Sequence, residues 1–110
     1  MKFEYSPNIA LNVKDRDKAG EFYKNVLGMN FVEDKNGDLQ FTAGSMNFYF
    51  AEGTPGQTFF EFKVDNVKEA RELLEKEGCK VTHEYSDKNV MISDPYGMNF
   101  HIWEEGAVFD

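Results

Sequence analysis

The sequence lacks what an internal disulfide, a basic nucleic-acid surface and a membrane-spanning apolar run would each require. Its single cysteine, Cys79, has no internal partner, so a reducing, cytoplasmic setting is the expectation. Twelve basic residues face 20 acidic ones, for a net charge of −8, and no Lys/Arg cluster stands out. Such a surface repels phosphate backbones, so nucleic acid is not an expected partner, whereas a cationic small molecule would be attracted. No apolar run approaches the length of a membrane span, and the first residues lack the apolar stretch of a signal peptide, so no membrane partner is expected either. Histidine is scarce: His83 and His101 are the only two.

What the chain has in excess is aromatic area, with eleven Phe, five Tyr and one Trp in 110 residues. A core of this size needs fewer, so some rings are expected to line a cavity, the alternative being a plain well-packed core. The length fits one domain, expected over residues 1–110. Segment Asn8–Val13 alternates like a half-buried strand. Asp15 then stands as an N-cap before Ala19, Phe22, Tyr23, Val26 and Leu27 at helical spacing, with Gly28 as the stop. Strands are expected at Met29–Glu33, Leu39–Ala43 and Met46–Ala51, with Asn36–Gly37 as a hairpin turn.

The second half repeats this order. Phe59–Val64 reads as a strand, and Asn66 with Glu69 resembles a capping box before the stripe Val67, Ala70, Leu73 and Leu74, which Gly78 ends. Strands are expected at Lys80–Tyr85, Asn89–Ser93 and Met98–Trp103, the last two joined by the turn residues Asp94-Pro95-Tyr96-Gly97. A shift of 51 carries Asn8, Val13, Asp15 and Ala19 onto Phe59, Val64, Asn66 and Ala70. A shift of 52 carries the run from Met46 to Glu52 onto Met98 to Glu104, with Met, Asn, Phe and the final Glu identical. Such a period marks a duplicated supersecondary unit.

Alternation sends Ile9, Leu11, Phe48, Phe50, Phe60, Phe62, Phe100 and Ile102 toward the helices. The opposite face collects Asn8, Ala10, Asn12, Asn47, Tyr49, Phe59, Glu61, Asn99, His101 and Trp103. Aromatic rings interspersed with a few polar groups are what small-molecule sites are lined with, so this face is the functional candidate. His101 and Glu61 are the candidate catalytic residues, as an acid/base pair if they touch. Pairing of Glu61 with Lys63, or simple exposure, is the plainer reading. Tyr49 and Trp103 could stack on a planar or cationic ligand, or pack in a dimer interface. Cys79 has no recognisable base partner and reads as structural, and the acidic residues of the second helix read as a solvated face.

The Asn8–Val13 strand, the Phe22-Tyr23-x-x-Val26-Leu27-Gly28 helix end, the Val64-Asp65-Asn66-Val67 helix start and Asp94-Pro95-x-Gly97 together resemble the vicinal-oxygen-chelate superfamily, over about residues 7–105. That group includes glyoxalase I, extradiol dioxygenases, fosfomycin-resistance transferases and bleomycin-binding proteins. The resemblance implies an α+β fold in which two βαβββ modules, at about 7–52 and 58–105, form a U-shaped mixed sheet around a cleft, usually in a homodimer. It also implies metal positions at Asn8, Phe59, Tyr49 and His101, of which only His101 is a good ligand. His83 falls on a different strand. The segment from Asp94 to His101 is similar to that of bleomycin-binding members, which bind without metal or catalysis.

The expectation is therefore a small-molecule-binding protein with no cofactor, its ligand lined by Asn8, Tyr49, Phe59, Glu61, His101 and Trp103. The alternatives are a lyase, isomerase or dioxygenase with a reduced divalent-metal site around His101, and a structural or regulatory dimerisation module.

Overall fold

The computed structural model describes residues 1–35 and 37–108. Asn36, half of the expected hairpin turn, lies outside the described residues. Ten elements follow in the order β1 (Phe3–Val13), α1 (Arg16–Asn25), β2 (Asn30–Lys35), β3 (Asp38–Ala43), β4 (Met46–Glu52), β5 (Thr58–Val64), α2 (Val67–Lys76), β6 (Lys80–Ser86), β7 (Asn89–Ser93) and β8 (Asn99–Trp103). The fold is α+β, a βαβββ order written twice. Every expected strand is present within one or two residues except the first, which starts at Phe3 instead of Asn8. Pro7 lies inside it, and the segment before it is anchored by rings: Phe3 and Tyr5 pack edge-on against Phe62, with centroids 6.2 and 5.9 Å away.

The chain divides into two compact units, one of residues Pro7–Thr58 and one of Met1–Ser6 with Phe59–Asp110. In the first, the strand order is β2–β3–β4–β1, with β1 and β4 parallel and the remaining pairs antiparallel. In the second it is β5–β8–β7–β6, with β5 and β8 parallel and the rest antiparallel.

Each core forms where one sheet face meets its helix. Leu39, Phe41 and Phe50 are buried in the Pro7–Thr58 unit, backed by Leu11, Val13, Tyr23, Met29 and Phe48. Tyr23 stacks on Phe50 at 4.7 Å between centroids. The sister unit buries Val64, Val67, Ala70, Val90, Ile92, Phe100 and Ile102, backed by Phe60 and Phe62 among others. Phe48, Phe50, Phe60, Phe62, Phe100 and Ile102 thus take the core side that alternation assigns them.

The helices depart more from expectation. Asp15 caps α1 by accepting from Lys18 N at 3.0 Å, and Asn66 caps α2 by accepting from Glu69 N at 2.9 Å. Beyond α1 the chain reverses at Gly28, φ +74°, with Met29 N donating to Tyr23 O at 3.0 Å; Gly78, φ +98°, does the same after α2, where Cys79 N donates to Leu74 O. Yet α1 stops at Asn25, and Phe22, Val26 and Leu27 are exposed. Its buried residue is Gly20, where an added Cβ would stand 2.7 Å from Leu39 Cδ1. A bare glycine backbone brings the helix so close to β3 that the outer part of its apolar stripe turns to solvent.

A second cap unites the modules. Glu52 Oε2 accepts from Arg16 N at 3.2 Å, and Glu104 Oε1 accepts from Val67 N at 3.0 Å. These are the identical glutamates of the repeat, each closing the first turn of its own module's helix, where the free N–H groups and the dipole favour a carboxylate.

Candidate functional site

The face opposite each core carries the predicted site residues, and the two units use it differently. In the Pro7–Thr58 unit, Asn8 Oδ1 accepts from Asn47 Nδ2 at 3.0 Å. Tyr49 stands opposite Ala10 and Gln40. Both residues are half-buried, and the pairing there is between neutral amides.

In the sister unit the parallel β5/β8 register sets Phe59 opposite Asn99, Glu61 opposite His101, and Lys63 opposite Trp103. Glu61 and His101 do meet: Nδ1 lies 3.2 Å from Glu61 Oε2, and the side chains are only 12% (His101) and 16% (Glu61) exposed. Of the plainer readings, simple exposure of Glu61 is corrected by this burial, and Lys63 binds Glu105 at 2.7 Å and holds its ammonium 5.3 Å from the Trp103 ring centroid. That contact raises the Lys63 pKa and lowers that of Glu105.

The other ring nitrogen of His101, Nε2, meets Asn89 Oδ1. Asn89 donates Nδ2 to Val108 O at 3.2 Å, so Oδ1 is the atom turned to the ring and Nε2 carries hydrogen. Nδ1 is thus the ring nitrogen turned to Glu61, and the imidazole and the carboxyl group stand within reach of proton exchange. Tyr85 closes the side toward β6, its ring edge-on to His101 at 5.7 Å.

Asn89, 3% exposed, and Ser6, 7% exposed, are the functional-face residues that the sequence reading missed. Ser6 Oγ accepts from Trp103 Nε1 at 3.3 Å and so fixes the indole. Strand alternation in β7 carries the signal for Asn89: with Val90 and Ile92 in the core, Asn89 and Met91 fall on the His101 side. Ser6 carried none, because it precedes the expected strand start.

The residues at the implied metal positions do not fit a divalent ion. Phe59 has no donor atom, Asn8 is engaged by Asn47, and both His101 nitrogens face acceptors. Among the described residues no group of three or more His, Cys, Asp or Glu could hold one. His83 pairs with Met91, which pairs with His101, so a strand separates the histidines; Tyr85, 4.3 Å from the His83 ring, stands between them. Burial first, then the charges of Asp94 and Glu77, push the Cys79 thiol up, away from nucleophile character.

A surface recess of about 420 Å³ lies elsewhere, in the Pro7–Thr58 unit, lined by Arg16, Asp17, Gly37, Asp38, Ala51 and Glu52. Its one cation is already spent: Arg16 binds Asp34 at 3.2 Å and donates to Gly37 O, fastening α1 to the β2–β3 turn. We therefore place the candidate site on the Glu61–His101–Trp103 face, where polar and aromatic groups converge. No helix among the described residues is long and apolar enough to cross a membrane.

Comparison with known proteins bears on the fold. A glyoxalase/bleomycin resistance protein/dioxygenase superfamily member from Vibrio splendidus 12B01 superposes with a TM-score of 0.66 at 13% identity, over 94% of this chain and 98% of that one. A variant of homoprotocatechuate 2,3-dioxygenase from B. fuscum gives 0.69 at 17% identity, over 99% of this chain but 34% of that one. A structure described as NAD-dependent benzaldehyde dehydrogenase from Legionella pneumophila gives 0.67 at 16%, over 88% and 96%. At such identities the likeness is one of fold. No curated protein gives a significant sequence match. The family model of the Glyoxalase/Bleomycin resistance protein/Dioxygenase superfamily, however, matches residues 6–102, which takes in both modules, and the chain belongs to that superfamily.

Proposed function

We propose that this chain is a metal-independent small-molecule-binding protein of its superfamily, taking an aromatic or cationic ligand on the face built by Phe59, Glu61, His101 and Trp103. The observation that carries this reading is the Glu61–His101 pair, nearly buried on the sheet face away from the core and set in the row next to Trp103. A fixed polar pair beside an indole orients a ligand, and the −8 charge favours a cation. The mismatch at the metal positions supports binding without a metal. Trp103 is the single tryptophan, so its emission reports the site directly. Titration with a panel of planar organic cations is expected to quench it; no response from any of them would overturn the reading. Stoichiometric metal in protein purified without chelator, lost in His101→Ala, would do the same.

The contact of His101 with Glu61 favours one second reading, an acid–base lyase or isomerase. In that case Glu61→Gln would abolish turnover while ligand quenching of Trp103 persists. A homodimer is carried as part of the proposal, supported by the exposed Phe22, Val26 and Leu27 of the first module. Sedimentation that shows a monomer would remove that part.

A further inference from the structure

Lys63 and Trp103 face each other across the parallel strands β5 and β8. Three parts of a cation site meet there. The indole offers its face to Lys63 Nζ at 5.3 Å. Its orientation is fixed from the edge by the Nε1 hydrogen bond to the buried Ser6. A carboxylate, Glu105, balances the charge at 2.7 Å.

The parts differ in how firmly they are held. Trp103 is pinned at its edge. Lys63 is a flexible four-carbon arm whose side chain is 36% exposed, and Glu105 is 85% exposed. The arm can swing into solvent and take its charge with it, uncovering the part of the ring that it occupies. The equivalent positions in the first module are Asn12 and Ala51, which offer neither cation nor ring, so the arrangement belongs to one copy of the repeat.

We infer that the Lys63 ammonium stands, from within the chain, where the ligand's own cation binds, and that Lys63 sets the site's preference among ligands. This rests on the ligand-binding reading above. The ligand class it implies is an organic monocation whose charge is attached to or spread over an aromatic ring, preferred over its neutral isostere. Such a ligand replaces the Lys63 contact with Trp103 by one of its own, and the displaced ammonium keeps Glu105 or water as partner.

The test is calorimetric titration of wild type and Lys63→Met with N-methylquinolinium and with neutral quinoline. Methionine keeps most of the stem without its charge, and a thermal melt checks that the variant folds. Wild type is expected to bind the cation measurably. Lys63→Met is expected to bind it about two- to ten-fold tighter, the range a cation–π contact at such a site is worth, with quinoline unchanged. Equal or weaker cation binding by the variant overturns the inference alone. So does an equal gain for quinoline, since it would mean that only apolar space had been opened. Absence of binding by either protein to either probe overturns the underlying reading as well.

Discussion

The two modules are copies in order and caps but not in cohesion or in the use of their free face. The Pro7–Thr58 unit has three buried core residues and leaves Phe22, Val26, Leu27, Phe31 and Val32 exposed, whereas its sister buries seven, with Leu73, Tyr85, Tyr96 and Met98 among those it exposes. On the other face the Glu61/His101 and Lys63/Trp103 pairs correspond to Ala10/Tyr49 and Asn12/Ala51. The polar chemistry is thus concentrated on the copy with the larger buried core. A polar pair held away from water needs neighbours that do not shift, and the larger core supplies them.

Core truncation probes the difference most strongly. Phe50 and Ile102 are equivalent in the repeat, and both are fully buried. Phe50→Ala is expected to cost about 3–5 kcal/mol and Ile102→Ala about 2–5 kcal/mol, read from denaturant midpoints. A Phe50→Ala cost below about 1.5 kcal/mol would mean that the first unit contributes little to global stability. Next comes the polar pair. A double-mutant cycle on Glu61→Ala and His101→Ala is expected to give a coupling of about 1–2 kcal/mol, against about 0.5 kcal/mol for Asn8→Ala with Asn47→Ala, a pair of neutral amides. Coupling of equal size in both units would erase the contrast.

The helix-closing glutamates come third. Glu104→Ala is expected to cost about 1 kcal/mol and Glu52→Ala about half that, because the contact of Glu104 is part-buried and that of Glu52 is exposed. The smallest effect concerns Asp38. Burial raises its pKa above the ordinary 3.8, against the pull of Arg16, so the folded chain holds this proton more tightly than the unfolded one. Its contribution to folding is then present in acid and is lost as pH rises through the raised value. Asp38→Asn is expected to raise the thermal midpoint slightly at neutral pH, with the advantage gone below the unfolded pKa.

Much of this architecture was legible because it is local. Asp15, Asn66, Gly28 and Gly78 announce helix ends through chemistry that acts within one turn, and alternation sorts core from face wherever a strand has one wet side. Asp94 accepts from Tyr96 N and Met98 N at 2.8 and 2.9 Å, as its turn chemistry suggests. What escaped depends on register. Whether Glu61 meets His101 is decided by how β5 slides along β8, which no residue in either strand encodes alone. Ser6 became visible only when the length of β1 was known, whereas alternation assigns Asn89 to its face and only strand pairing sets it against His101. The exposed end of α1 escaped for another reason: Gly20 controls how closely the helix approaches β3, and hydrophobic spacing does not register close approach.

The paired glutamates at the helix starts have a consequence for ancestry. Each copy ends its last strand with the acceptor that fastens the opening turn of its own helix, so neither borrows that clasp from its sister. A cassette that carries its own fastening can be doubled in a gene and remain foldable from the first generation. One copy is then free to lose or gain side chains on its working face while the frame around it stays shut.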